Sequence, residues 1–242
     1  YPTTVMETGH DILRAWVARM MMIGNFVTKK EPFKQVFLHG MVRDSKGQKM
    51  SKSKGNVIDP LIMVDKYGAD ALRGALIFGT KDGGDVVLSE QKIIGMRNFA
   101  NKIWNIARFI EMNLNSNNQI TNPKQITISN DNQKSKNEID KLIKELQKEY
   151  KEEKKNYMKQ MKAYKFSMTF DMLYHFIWHR YADFYIEELK DALRNGNIEV
   201  LNVLKEVYFE NLKMLHPYMP FVTEAIWQVF HGEKSSIMQE KL

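Results

Sequence analysis

The sequence predicts α/β plus all-α: a parallel α/β unit at the amino end, followed by an antiparallel helical bundle. Three observations lead there. Short β-branched runs at residues 3–8 and 35–39 bracket a helical pattern, the strand–helix–strand order of a parallel unit. From Ser89 onward, apolar residues recur at spacings of three and four over long stretches. Between the second strand and the first long helix lies a lysine-rich segment flanked by turn formers. The boundary falls at 88/89, which gives segments 1–88 and 89–242.

In chain order, Thr3 to Thr8 reads as a strand that stops at Gly9 and delivers a loop. Asp11 can cap the next helix, and Trp16, Met20 and Ile23 recur at helical spacing until Gly24. Gln35 to His39 is the second strand, ending at Gly40. Ligands of parallel sheets bind beyond the carboxyl ends of the strands, here the loops 8–11 and 39–42. Residues 44–47 form a hairpin-like turn, and residues 49–56 are expected to be a mobile loop. Asp59-Pro60 opens a helix through Tyr67, another covers Ala69 to Phe78, and Gly79 to Gly84 breaks the pattern. A long helix from about Ser89 to Met112 carries Ile103, Ile106 and Ile110 on one stripe, with polar residues on another. Asn113 to Asn137 reads as an exposed, disordered link. The next helix, about Glu138 to Ala163, has Leu142, Leu146, Tyr150, Tyr157 and Met161 as its seam. A further helix at about Ser167 to Leu193 has Phe170, Leu173, Tyr174, Ile177, Tyr181 and Phe184 as core. Helices at about Ile198 to Leu215 and Phe221 to His231 close the chain.

Composition narrows the function classes. The 242 residues are 43% hydrophobic and 27% charged, a globular balance, and the apolar stretch near Trp16 to Val27 is interrupted by Arg19, so no membrane span is expected. Cysteine is absent, which removes disulfides and thiolate nucleophiles and fits a reducing, cytoplasmic setting. His175 and His179 stand four apart, but Phe176 replaces the glutamate of the zinc-protease pattern and no third ligand is evident, so no metal site is expected. The chain opens on Tyr1-Pro2-Thr3-Thr4, with neither an initiator Met nor a signal pattern, and is expected to be part of a longer polypeptide. The net charge of +7 suggests a polyanionic partner. Most of that excess lies between Lys29 and Lys54, where eight basic residues face only Glu31 and Asp44.

Within that basic stretch stands Lys49-Met50-Ser51-Lys52-Ser53. Composition alone would place this ordered pentapeptide in roughly four of ten thousand shuffled chains. Two ammonium groups three residues apart, with hydroxyls between them, can close over a triphosphate and neutralise charge on departing pyrophosphate. A solvated lysine turn is the plain alternative. A P-loop phosphotransferase is disfavoured, because Gly-x4-Gly-Lys-Ser/Thr occurs nowhere in the chain.

The flanks carry a resemblance. His39-Gly40-Met41-Val42-Arg43-Asp44, then Gly47 through Pro60, then Tyr67-Gly68-Ala69-Asp70-Ala71-Leu72-Arg73 resemble the second signature region of class I aminoacyl-tRNA synthetases, spacing included. Thr8-Gly9-His10-Asp11-Ile12 with Trp16 to Met20, Arg97 to Asn105, and Leu215 to Phe221 look most like the valyl branch of that class. The resemblance implies the C-terminal half of a Rossmann-like catalytic domain followed by an anticodon-binding bundle. It implies ATP with Mg²⁺, valine and tRNA(Val) as partners of a monomeric, membrane-free parent enzyme. Lys49 and Lys52 would be catalytic. ATP would be bordered by His39, Gly40, Met41, Val42 and the loop residues Lys49, Met50, Ser51, Lys52 and Ser53. Gly9 and Asp11 would hold the adenylate, with Ile12 and Trp16 forming a small apolar pocket; for Trp16, ordinary helix packing is the other reading. Arg97, Asn101, Lys102, Asn105 and Arg108 would contact the tRNA backbone. The family usually has an aromatic residue where His10 stands. No His-x-Gly-His signature and no editing domain occur in this sequence, so the chain by itself is expected to be inactive. An isoleucyl or leucyl relative and a non-catalytic tRNA-binding remnant are the alternatives.

Overall fold

The computed structural model describes residues 1–119 and 134–242. Strands β1 (Thr3–Gly9) and β2 (Phe33–His39) pair in parallel, in register from Thr3↔Phe33 to Gly9↔His39. The crossover between them is helical from His10 onward: a 3-10 turn (His10–Ile12), a π-helical turn (Leu13–Val17) and α1 (Ala18–Thr28). Asp11 therefore lies inside the first turn and makes no cap bond, contrary to the expectation from sequence. Gly24 does not stop the helix either. A Cβ there would lie 3.1 Å from the Tyr1 hydroxyl and 3.5 Å from Pro32 Cβ, so glycine lets α1 run close to the strand entry. The helix stops at Lys29, which adopts the left-handed conformation (φ 56°). The outward side of α1 leaves Met22, Phe26 and Val27 exposed.

Beyond β2 the chain forms β3 (Val42–Arg43), which pairs in parallel with β4 (Val86–Val87). With two residues, β4 carries no periodicity to read. Helix α2 (Pro60–Tyr67) starts where sequence places it: Asp59 accepts from Leu61 N at 2.9 Å, and Pro60 takes the first-turn site. Helix α3 (Ala69–Ile77) is next, then α4 (Glu90–Gln119), α5 (Lys136–Lys162), α6 (Phe166–His175), a π-helical stretch (Phe176–Ile186), α7 (Glu187–Arg194), α8 (Ile198–Leu215) and α9 (Pro220–His231).

The expected link at 113–137 is overturned at both ends. Residues 113–119 continue α4, and Ser135 with Glu138 forms a reciprocal capping box that opens α5. Its middle, 120–133, lies outside the described residues.

The helices share one apolar cluster that runs from Ala71 in α3 to Ile237. Ile103, Ile106 and Ile110 are buried as their spacing implies. On α5, Ile143 is buried where Leu142 is expected, and Leu142 is half-buried. After Phe176 the π-helical turns widen the repeat, so Tyr185 and Ile186 enter the core while Phe184 moves to its edge. Three buried phenols tie α8 to its neighbours by donating to backbone carbonyls: Tyr157 to Met214 (2.8 Å), Tyr181 to Leu204 (2.6 Å) and Tyr208 to Ile103 (2.8 Å). A phenol supplies both apolar area and one donor, so each is buried without an unpaired hydroxyl.

The α/β unit and the helices are joined by α3. Buried Asp70 accepts from Phe221 N (3.2 Å) and Val222 N (2.6 Å), capping α9 from another helix. Arg73 donates to the carbonyls of Pro217 (2.9 Å) and Tyr218 (3.2 Å), just before that helix. Burial holds the Asp70 carboxyl above its ordinary range, opposed by the two backbone donors. Replacing Asp70 by Ala strands both donors and should lower stability by about 1–3 kcal/mol, whereas Asp70→Asn keeps an acceptor and should cost clearly less. Urea unfolding of the three proteins checks this; equal losses for Ala and Asn would contradict it.

Candidate functional site

Gly9 and His39 are register partners at the carboxyl ends of β1 and β2. A Cβ on Gly9 would lie 2.9 Å from Asp11 Oδ1, 3.6 Å from His39 Cε1 and 3.6 Å from Met41 Sδ. The missing side chain thus leaves space where these three groups converge. Asp11 Oδ2 also lies 3.9 Å from Lys49 Nζ, which brings the lysine loop to the same place. His39 is held from two sides, its Nδ1 at 2.9 Å from the Gly40 carbonyl and its Nε2 at 3.2 Å from Glu7 Oε1.

Gly40 has its own reason. A Cβ there would fall 1.9 Å from the Gly84 carbonyl oxygen, so two stretches of backbone touch where no other residue fits. That contact brings Asp85 beside the turn after β2. Its carboxylate accepts from Met41 N (2.7 Å) and from Arg43 Nε, and His10 Nε2 lies 3.3 Å from the same group. These donors, the Met41 amide foremost, pull the Asp85 pKa down to about 2. Sequence alone does not single out Asp85. A lone acid after Gly83-Gly84 in a two-residue strand gives no periodic signal, and its partners lie more than forty positions upstream.

The lysine loop is closed at its base. Arg43 bridges Lys49 in antiparallel fashion, and Gly47 (φ +75°) makes the turn. Asp44 Oδ1 accepts from Lys46 N (3.0 Å) and Gln48 N (2.8 Å), while its Oδ2 takes the Asn56 amide at 2.8 Å. Asn56 Oδ1 in turn accepts from Ser51 N at 2.9 Å. The Asn56 amide is the main reason the Asp44 carboxyl sits below its usual range. The backbone of Lys52 opens a 3-10 turn (Lys52–Lys54), Ser51 and Ser53 hydroxyls stand 3.2 Å apart, and Met50 packs against the helical core. Asp44 and Asn56 both belong to the signature-like stretch 39–60, but a motif does not reveal that they clasp each other across twelve residues.

The structure gathers Gly9, Asp11, His39, Met41 and Lys49. Gly40 and Val42 line a cavity of about 410 Å³ between β2, the Gly83-Gly84 turn and Tyr164, Phe166 and Tyr218. Ile12 is 42% and Trp16 52% exposed. On α4, Arg97, Asn101, Asn105 and Arg108 form one exposed line. Lys102 lies off that line, bonded to Asp183 at 2.6 Å and placed over the Trp178 ring.

A lysine loop set against the ends of two parallel strands and braced by a helical region is the geometry to be placed among known proteins. Residues 1–89 match the family of tRNA synthetases class I (I, L, M and V), and residues 137–242 match the anticodon-binding domain of tRNA ligase. The chain belongs to the class I tRNA synthetases. It is 42% identical over 97% of its length to the valine–tRNA ligase of Geobacter sulfurreducens, and 44% identical over 98% to that of Syntrophotalea carbinolica. It spans 26% of each of those relatives. Among solved structures, the Agrobacterium radiobacter K84 agnB2 LeuRS–tRNA–LeuAMS complex matches 99% of this chain and 28% of its own (TM-score 0.72, 19% identity). A Mycobacterium tuberculosis methionyl-tRNA synthetase with methionyl-adenylate matches 97% of this chain and 45% of its own (TM-score 0.70, 20% identity). At these identities the two structures speak for the fold.

Asp85 is a carboxylate with a lowered folded-state pKa. Its bonds are therefore present above the ordinary value of 3.8 and are lost as pH falls through about 2. At neutral pH, Asp85→Ala should speed amide hydrogen exchange at Met41 by about tenfold or more. Unchanged exchange across residues 41–49 would contradict that role.

Proposed function

We propose that this chain is the part of a valine–tRNA ligase that completes the adenylate site and begins the tRNA-binding region. The division falls at 88/89, with the helices of 89–242 forming an antiparallel anticodon-binding bundle. The observation that carries the reading is the convergence of Gly9, Asp11, His39 and Met41 with Lys49 of the lysine loop at the carboxyl ends of two parallel strands. The 38–44% identity to valine–tRNA ligases points to valine as the amino acid and tRNA(Val) as acceptor.

In this reading the valine carboxylate attacks the α-phosphorus of ATP, the bond to the bridging oxygen breaks, and pyrophosphate leaves. The valyl group then passes to the terminal ribose of tRNA and AMP is released. No enzyme nucleophile is required by these two steps. The protein supplies placement and charge. Gly9 leaves room for the adenylate and Asp11 orients it. His39, Gly40, Met41 and Val42 border the base. Ile12 and Trp16 wall the small side chain. Lys49 and Lys52, with Met50, Ser51 and Ser53 shaping the loop between and beside them, neutralise the departing phosphates. Asp11 faces Lys49. Mg²⁺ would enter with ATP as part of the nucleotide substrate and would offset phosphate charge there. Arg97, Asn101, Asn105 and Arg108 offer cations and amides to an RNA backbone along one rigid face, with Lys102 held beside it by Asp183. A cytoplasmic setting belongs to the same reading.

Lys52→Ala in the complete protein should slow valine-dependent adenylate formation by about 100-fold or more, leaving valine affinity nearly unchanged, because the ammonium's partner is charge that develops on the leaving group. Equal losses in rate and valine binding, measured by pre-steady-state kinetics, would contradict the assignment.

A further inference from the structure

Helix α5 has a charge arrangement that the adenylate site does not use. Lys144, Lys148, Lys151, Lys155, Lys159 and Lys162 are all exposed and succeed one another at spacings of three and four. Such spacing sets them on a single ridge, about 27 Å long at 1.5 Å per residue. The opposite side of the helix carries buried Ile143, Leu146, Tyr150 and Tyr157, so the ridge points away from the core.

Several carboxylates of α5 are engaged elsewhere. Glu149 takes Arg180 and the Tyr185 hydroxyl, Glu138 closes the capping box, and Glu145 lies by Lys141 at 3.9 Å. Lys154, on the same helix but turned inward, meets Glu210 at 2.6 Å. Asp140, four residues before Lys144, is half-buried beside the ridge and Glu152 is exposed next to Lys151; two such acids against six lysines leave the ridge positive. None of the six ridge lysines has an ion pair among the described residues. A solvated helix ordinarily alternates its charges, because like charges three or four residues apart repel. Here the repulsion accumulates along the whole ridge, and a polyanion laid along it would remove it.

We propose that this ridge is a docking surface for a phosphodiester backbone, and that its ligand is the tRNA, on a helix separate from the α4 line. The proposal rests on the tRNA-ligase reading for the identity of the RNA. Lysine is a compact cation without a planar fork and meets phosphates as a point charge, so a row of lysines on one ridge serves to position an RNA backbone. An anionic membrane fits less well. Helices that bind membranes lay an apolar face into the lipid beside their cations, and the apolar face of α5 is already buried against the other helices.

The test uses the complete protein with Lys148→Gln, Lys151→Gln and Lys155→Gln combined. These changes leave helix propensity and the adenylate site alone, so pyrophosphate exchange without tRNA reports that the protein is folded. The triple variant should bind tRNA(Val) about tenfold more weakly at low salt. The slope of log affinity against log salt should shrink by about 2 to 3, one unit for each lost phosphate contact. Unchanged tRNA affinity and salt slope would overturn the proposal, including the case in which only binding to phosphatidylserine vesicles falls. Ridge-dependent tRNA binding by a wild-type protein without amino-acid-dependent exchange would sustain the ridge and defeat the ligase reading. A wild-type protein that does not bind tRNA at all would overturn both.

Discussion

The contact on which the site depends is the one between Gly40 and Gly84. With 1.9 Å between a hypothetical Gly40 Cβ and the Gly84 oxygen, the exit of β2 and the entry of β4 can meet only as bare backbone. Once they meet, β4 pairs with β3, and Asp85 arrives at the turn whose amide and guanidinium it accepts. The base of the lysine loop hangs from that pair, since Arg43 also bridges Lys49. His10, at the end of β1, touches the same carboxylate. One small steric fact thus ties together the strand ends and the loop that faces them.

A second joint carries the site into the helices. Asp70 and Arg73 leave α3 to satisfy the amides at the start of α9 and the carbonyls just before it. In the sequence, Tyr67–Arg73 and Leu215–Phe221 stand as separate signatures; in the structure each is the other's partner. This explains why short polar motifs far apart in sequence can be specified together: one supplies a buried acceptor, the other the unpaired donors of a helix end. Phe37 on β2 adds an apolar contact, its ring 5.5 Å from that of Phe166 at the start of α6.

Periodic features were legible. The βαβ order, Asp59-Pro60 as a helix start, the isoleucine stripe of α4 and the two last helices derive from residue type and spacing, and the structure has them. What escaped was either too short to have a period, as with β4, or was decided by a partner distant in the chain, as with Asp85. Gly24 looks like a stop because glycine usually breaks helices, but here closeness to Pro32 decides the matter. The π-helical stretch displaces the expected core from Phe184 to Tyr185, since a repeat of three and four assumes regular α geometry. Of the site, the loop and strand-end residues can be named from motif and topology, whereas the clasp of Asp44 with Asn56 needs coordinates.

In the proposed function these strand ends and the lysine loop belong to an enzyme that joins valine to AMP. The most direct measurement is amino-acid-dependent ATP–pyrophosphate exchange by the complete protein, with valine, isoleucine, leucine and threonine compared. Exchange dominated by valine is the expected result. Exchange dominated by another of the four would contradict the specificity, and a folded protein with no exchange for any of them would contradict the ligase itself.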